Sequence, residues 1–131
     1  MVRKEPMAKT GEATETQYAA LPFQVTAGGL QILLITSRET RRWVIPKGWP
    51  IRGLRPRGVA AREAFEEAGL VGKIVGKRSI GSYHYSKRLM DHREWLCRVK
   101  VFLKRFMGHG FDSQTNASLM TFLVSSSRRS M

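Results

Sequence analysis

The sequence predicts an α+β fold, in which a mostly β structure carries one helix packed on its sheet. Apolar, β-branched and aromatic residues dominate several segments between residues 21 and 106, which is typical of strands. After a loop rich in glycine and proline, alanines recur at every fourth position: Ala60, Ala64 and Ala68. In a helix this spacing makes a small-residue seam that can lie flat against a sheet. Strands with one packed helix form an α+β arrangement.

The first third of the chain predicts a tail and then a β-hairpin. Residues 1–18 are polar and mixed in charge, and we expect a flexible N-terminal tail there. Strand-type residues run from 21 to 36 on both sides of a turn at 27–29, where two glycines stand together. Residues 43–46 predict a short strand that ends at proline, with Trp43 packed in the core.

The C-terminal half predicts further strands and a short helix. Residues 71–85 have strand character, residues 87–94 form a hairpin tip or loop, and residues 95–106 form a long strand. An apolar patch near the end predicts a short helix at about 116–124. Cys97 is expected to be a small buried hydrophobic residue on a strand.

Composition predicts one domain that attracts polyanions. The 131 residues suit a single domain at 19–124, followed by a basic tail at 125–131. The net charge of +13 attracts polyanions, whether nucleic acid, nucleotide or inositol polyphosphate. The single cysteine fits a reducing compartment, and no window is apolar enough for a membrane span. We therefore expect a cytoplasmic protein without membrane partners, present as a monomer or homodimer.

Three glutamates in the predicted helix suggest a metal site. At about 100° per residue, Glu63, Glu66 and Glu67 fall within an arc of roughly 100° on one side of a helix. Carboxylates at this spacing repel each other unless water or a cation screens them. One explanation is an ordinary solvated helix face. The other is a site for a hard divalent cation, which prefers oxygen ligands.

The stretch from Gly48 to Leu70 resembles the Nudix hydrolase signature, G-x5-E-x7-R-E-U-x-E-E-x-G-U, in which U is apolar. The residues that match its fixed and terminal positions are Gly48, Arg62, Glu63, Glu66, Glu67, Gly69 and Leu70. The departure is Leu54, which stands where the family usually has its first glutamate. The resemblance implies a Nudix-type α/β/α sandwich with a mixed sheet, the box helix packed on it, and a C-terminal helix that is short or missing.

The resemblance also implies roles for these residues. Glu63, Glu67 and the backbone carbonyl of Lys47 would bind Mg²⁺ (or Mn²⁺). Glu66 would act as general base, and Arg62 would orient the glutamates by ion pairing. A fourth acid often lies on a later loop or strand end in this family, and the candidates here are Asp91, Glu94 and Asp112.

A basic segment ahead of this stretch resembles the diphosphoinositol polyphosphate phosphohydrolase branch of the family. The matching residues are Ser37, Arg38, Arg42, Trp43 and Pro46. Arginine and lysine suit dense phosphate. The resemblance implies a polyphosphorylated small-molecule substrate and the substrate-binding residues Arg38, Arg42, Gly48 and Arg78.

Three functions follow from the sequence. The favoured one is a metal-dependent hydrolase of phosphoanhydride bonds in a diphosphate linked to another moiety, similar to diphosphoinositol polyphosphate. The second is a pyrophosphohydrolase of dinucleoside polyphosphates, nucleoside triphosphates or RNA 5′ ends, which would need an aromatic base clamp. The third, of another class, is a non-catalytic polyanion- or RNA-binding module, which the charge and Leu54 favour.

Overall fold

The computed structural model describes residues 14–36, 41–88, 90, 93–106 and 117–122. These residues form one helix and eight strands, which in chain order are β1 (Thr14–Thr26), β2 (Gly29–Thr36), β3 (Trp43–Val44), β4 (Lys47–Gly48), α1 (Pro56–Ala68), β5 (Lys73–Val75), β6 (Gly81–Arg88), β7 (Glu94–Arg105) and β8 (Ala117–Phe122). The sheet has the order β3-β2-β1-β7-β5, while β4 pairs with β1, β6 pairs with β7 and β8 pairs with β2.

The sheet is mixed, as predicted. β1 and β7 pair in parallel at its centre, and the remaining strand pairs of the described residues are antiparallel. The parallel ladder begins where Thr14 pairs with Leu96. Residues 14–18, which the sequence assigned to the N-terminal tail, therefore lie in the sheet. Their polar side chains gave no strand signal, but backbone pairing with β7 holds them and Gln17 is buried.

The helix predicted near residues 116–124 is wrong. Residues 117–122 form β8, which pairs antiparallel with β2 from Leu30–Phe122 to Ile35–Ala117. The periodicity of a short apolar run cannot separate a helix from a buried strand. The open edge of β2 decides the outcome, because its backbone groups need hydrogen-bond partners.

The predicted helix and its small-residue seam are confirmed. Ala60, Ala64 and Ala68 of α1 are fully buried and share a core cluster with Ala20 and Phe102 of the sheet. Because the helix presents only methyl groups along this seam, it can approach the sheet closely. Gly69 ends the helix in a left-handed conformation at φ 67°, and its N–H donates to the carbonyl of Phe65 at 2.9 Å.

The described residues thus supply the sheet and one helical layer of the expected sandwich. The helix α1 has 13 residues, and no helix in the described parts of the chain is long and apolar enough to cross a membrane. Cys97 is fully buried on β7, as predicted. Trp43 is 53% exposed, so its expected place in the core is wrong. It stands in a two-residue edge strand, which offers little surface to cover a large ring.

Candidate metal and phosphate site

One side of the helix α1 is pressed against β4. Glu63 is only 2% exposed, and it faces Gly48, which pairs with Tyr18 of β1. A Cβ atom at Gly48 would lie 2.3 Å from Oε1 of Glu63, far closer than any ordinary contact. The absence of a side chain at Gly48 therefore lets the buried carboxyl group sit directly against the backbone of the strand.

Glu67 lies one helical turn after Glu63, and the two carboxyl groups interact. Withdrawal of the Glu67 carboxyl from water, followed by the charge and hydrogen bond of Glu63, raises the pKa of Glu67 from 4.5 to about 7. Lys47 opposes this increase through its charge and a backbone hydrogen bond. Glu67 is exposed as a whole residue, but its carboxyl group is partly withdrawn from water. Glu63, Glu67 and the Lys47 backbone consequently meet in one place.

The third glutamate has a different environment. Nε of Arg62 lies 2.9 Å from Oε1 of Glu66, and the two side chains are 41% and 37% exposed. Leu54, which replaces an acid in the box, is half-buried. Packing therefore divides the predicted arc of three acids into a close pair, of which Glu63 is buried and Glu67 exposed, and a third acid held by an arginine.

This donor set fits a hard divalent cation. Two close carboxylates are oxygen donors of the type that Mg²⁺ and Mn²⁺ prefer. Bound positive charge would also remove the repulsion that raises the pKa of Glu67. Among the described residues, no group of three or more histidine, cysteine, aspartate or glutamate side chains converges on a possible metal position. The rest of a coordination shell would come from water or substrate, as is usual for Mg²⁺.

The structure does not bring a fourth acid to this pair from β7. Glu94 lies 3.9 Å from Arg88 across the β6–β7 hairpin. It stands six residues before Lys100, the β7 residue level with Tyr18 and Gly48. At about 3.3 Å per residue, this is roughly 20 Å along the strand. Asp91 and Asp112, the other candidates, lie outside the described residues.

The predicted phosphate-binding arginines occupy different places. Arg42 is exposed next to β3, and Arg38 lies outside the described residues. Arg78 lines a cleft on the β7 side of α1, whereas Glu63 contacts the β4 side. Lys47 and Arg62 are the basic residues that interact with the glutamates, Lys47 with Glu67 and Arg62 with Glu66.

The opposite face of β4 carries aromatic and polar groups that sequence reasoning missed. Lys47 and Gly48 are neighbours on a strand, so the Lys47 side chain points away from α1. Its Nζ lies 5.2 Å from the centroid of the Tyr85 ring, and burial lowers its pKa. The Tyr85 hydroxyl donates to the buried side chain of Gln17. Gln17 fell in the predicted tail, and nothing local in the sequence marks it.

A lysine also covers the box tryptophan. Nζ of Lys87 lies 5.1 Å from the centroid of the Trp49 ring. Because Lys87 comes from β6 and Trp49 follows β4, their contact depends on the sheet. The alternation of strand side chains hinted at Lys87 and Tyr85 on one face, but not at their partners.

Known proteins with similar sequences point to one enzyme branch. The chain is 33% identical over 90 residues to diphosphoinositol polyphosphate phosphohydrolase 3-beta of Bos taurus, an alignment that covers 69% of this chain and 53% of the relative. It is 31% identical to diphosphoinositol polyphosphate phosphohydrolase 2 of Rattus norvegicus over the same share of this chain and 48% of the relative. The chain thus spans about half the length of these relatives. No protein-family model matches it.

Solved structures with the same fold include a hydrolase of the Nudix family from Clostridium perfringens, with a TM-score of 0.60 at 11% identity over 82% of this chain and 81% of that protein. The Ap4A hydrolase of Caenorhabditis elegans superposes with a TM-score of 0.60 at 16% identity, covering 83% of this chain and 81% of that protein. Such identity shows the fold alone. The chain thus has the fold of Nudix hydrolases, carries Gly48, Arg62 and the glutamates at the spacing of the Nudix signature, and is similar in sequence to diphosphoinositol polyphosphate phosphohydrolases.

Proposed function

We propose that the chain is a divalent-metal-dependent hydrolase that cleaves phosphoanhydride bonds in a diphosphate linked to another moiety. The observation that carries this proposal is the close pair of Glu63 and Glu67 carboxyl groups, of which Glu63 is buried against the backbone of β4. Two adjacent carboxylates repel each other, and a bound cation removes that repulsion. Their placement at the box glycine fits a resident Mg²⁺ or Mn²⁺.

The box residues have separate roles in this proposal. Glu63, Glu67 and the Lys47 carbonyl would hold the metal, which when bound neutralises charge on the phosphate oxygens. Glu66 accepts the proton of the attacking water, since it is exposed and lies outside the close pair of Glu63 and Glu67. Arg62 positions Glu66 through the ion pair at 2.9 Å. Gly48 lets Glu63 approach the strand.

The substrate class we propose resembles diphosphoinositol polyphosphate. The similarity to two phosphohydrolases of that name supports it. The cations that flank the box also support it. Arg42 is exposed ahead of the box, and the side chains of Lys47 and Lys87 lie on the face of β4 that points away from α1. Cations near the box favour a ligand with many phosphates over one with a single phosphate.

A nucleotide substrate is the second candidate. Trp43 is 53% exposed and Tyr83 is 38% exposed, so aromatic surface is available for stacking on a base. A fold shared with an Ap4A hydrolase fits the same class, which includes dinucleoside polyphosphates, nucleoside triphosphates and RNA 5′ ends.

Phosphate release by the full chain with Mg²⁺ tests both candidates. The panel contains diphosphoinositol polyphosphates, dinucleoside polyphosphates, nucleoside triphosphates and a 5′-triphosphorylated RNA. We expect turnover of the first class, lost in Glu67→Gln and in Glu66→Gln. Glu94→Gln is the matched control, because it makes the same chemical change at an acid paired with Arg88.

The outcomes separate the three functions. Turnover of nucleotides alone would replace the substrate class and keep the hydrolase. Loss of turnover in Glu94→Gln would make Glu94 a member of the site. Folded chain that binds RNA and hydrolyses nothing would identify the non-catalytic polyanion-binding module instead. Binding that weakens steeply with added salt would identify it as a nucleic-acid surface.

A further inference from the structure

A second concave surface lies on the side of the helix α1 away from β4. It is a cleft of about 610 Å³ between the first turn of α1, the connection from β5 to β6, and β7. This volume lies within the usual range of small-molecule sites. The cleft carries five cations: Arg55, Arg57, Lys77, Arg78 and Lys100. None of its described lining residues is acidic.

The charges of this cleft are concentrated, and no acidic residue lines it within the described part of the chain. The ion pairs Arg62–Glu66 and Arg88–Glu94 involve none of the five cations. The first turn of α1 contains no acidic residue, and Arg55 at its N-cap makes no side-chain capping bond. The positive end of the helix dipole therefore adds to the same field. Like charges held together in this way are stabilised by a bound anion.

The cleft is separate from the glutamate pair. Arg57 precedes Glu63 by six residues, which is about 9 Å along the helix axis. It also lies about 120° away around the helix, at roughly 100° per residue. Across the sheet, β1 separates β4 from β7, so the two surfaces are about 10 Å apart in that direction as well.

We propose that this cleft is a second anion-binding site, which takes a small ligand with several linked phosphate groups. Three arginines can each make bidentate contacts with phosphate oxygens, and two lysines supply point charges. The cations converge around a hollow that Phe102, 3% exposed, lines with apolar surface. A surface that follows a nucleic-acid backbone would spread its cations along a groove. The proposal holds whether or not the box is active.

Binding of inorganic tripolyphosphate tests the site without hydrolysis. Isothermal titration uses the full chain carrying Glu67→Gln, with a chelator and no divalent cation, at about 0.15 M salt, where exposed charges more than about 8 Å apart are screened. We expect saturable binding of one ligand. Arg57→Gln with Lys100→Gln should weaken it at least about tenfold, since both cations are half-buried in the cleft.

A matched control separates the site from net charge. Lys73→Gln with Arg105→Gln removes one lysine and one arginine from an exposed register pair, about 17 Å along β7 from Lys100. We expect this pair to change the dissociation constant less than about twofold. An equal loss in both double variants would overturn the proposal. So would the absence of tripolyphosphate binding to the Glu67→Gln chain that carries no cleft substitution.

Two further measurements keep the test decisive. Arg55→Gln with Lys77→Gln changes exposed positions only, so a weaker complex in this variant cannot be ascribed to misfolding. Single-stranded RNA is titrated in parallel with tripolyphosphate. A larger effect of the cleft variants on RNA than on tripolyphosphate would overturn the small-ligand site and assign the cleft to nucleic acid.

Discussion

Replacing Gly48 by alanine should damage stability and the metal site together. The new Cβ would lie 2.3 Å from Oε1, 2.4 Å from Cδ and 2.8 Å from Cγ of Glu63. Relief of this overlap requires a shift of about 1 Å, since ordinary contacts begin near 3.4 Å. Glu63 is 2% exposed, and Val59 and Ala60 beside it are fully buried, so the carboxyl has little room. Overpacking of this kind costs about 1–3 kcal/mol.

Urea unfolding measures the change as a shift in midpoint at constant m-value. Magnesium titration should show at least about tenfold weaker binding, because the supporting strand no longer fits the ligand. Gly58→Ala is the control. Its Cβ would meet Leu54 at an ordinary 3.7 Å, and alanine should be neutral or stabilise the helix by up to about 1 kcal/mol. A Gly48→Ala protein with wild-type stability and wild-type magnesium affinity would refute the packing argument.

Three further predictions concern the acids and the loop after the helix. The pKa of Glu67 is raised to about 7, so the folded state holds this proton more tightly than the unfolded state. Its contribution to the free energy of unfolding is present below pH 4.5 and is lost as the pH rises through 7. The loss is about 1 kcal/mol once solvent screening of the exposed Glu67 side chain is allowed for. Gly72→Ala should destabilise by about 1–3 kcal/mol, because its φ is 149° and a Cβ would lie 2.5 Å from the Arg105 carbonyl oxygen. Arg62→Ala should cost only about 0.5 kcal/mol yet lower kcat, since its exposed bond to Glu66 orients more than it stabilises.

Each of these predictions has its own control. Urea midpoints between pH 4.5 and 8 in metal-free buffer, compared with Glu67→Gln, isolate the titration; identical pH profiles would contradict it. Gly81→Ala serves beside Gly72→Ala, because no atom lies within 4 Å of a Cβ at Gly81. Equal stabilities of the two variants would remove the steric explanation. For Arg62, rescue of kcat by lysine would support a positioning role, and an unchanged kcat in alanine would oppose it.

The sequence alone determined the helix, most of the strands and the box. These features depend on local signals: alanines at every fourth residue, a helix-ending Gly69, and acids at fixed spacing after Gly48. The family resemblance also predicted a mixed sheet, and the structure has one. The signals failed where side chains were uninformative, at residues 14–18 and 117–122, since backbone pairing with another strand decided both.

The tertiary structure decided which glutamates act together. Their spacing placed all three acids on one arc, but Glu63 is buried against β4 and interacts with Glu67, whereas Glu66 pairs with Arg62. It likewise divided the cations. Arg78 was predicted with the substrate, yet it shares a cleft with Arg55 and Lys100, which stand 23 and 22 positions from it along the chain. Local sequence reports spacing along the chain, whereas charge and burial act through distances in space, and only the packed sheet and helix set those distances.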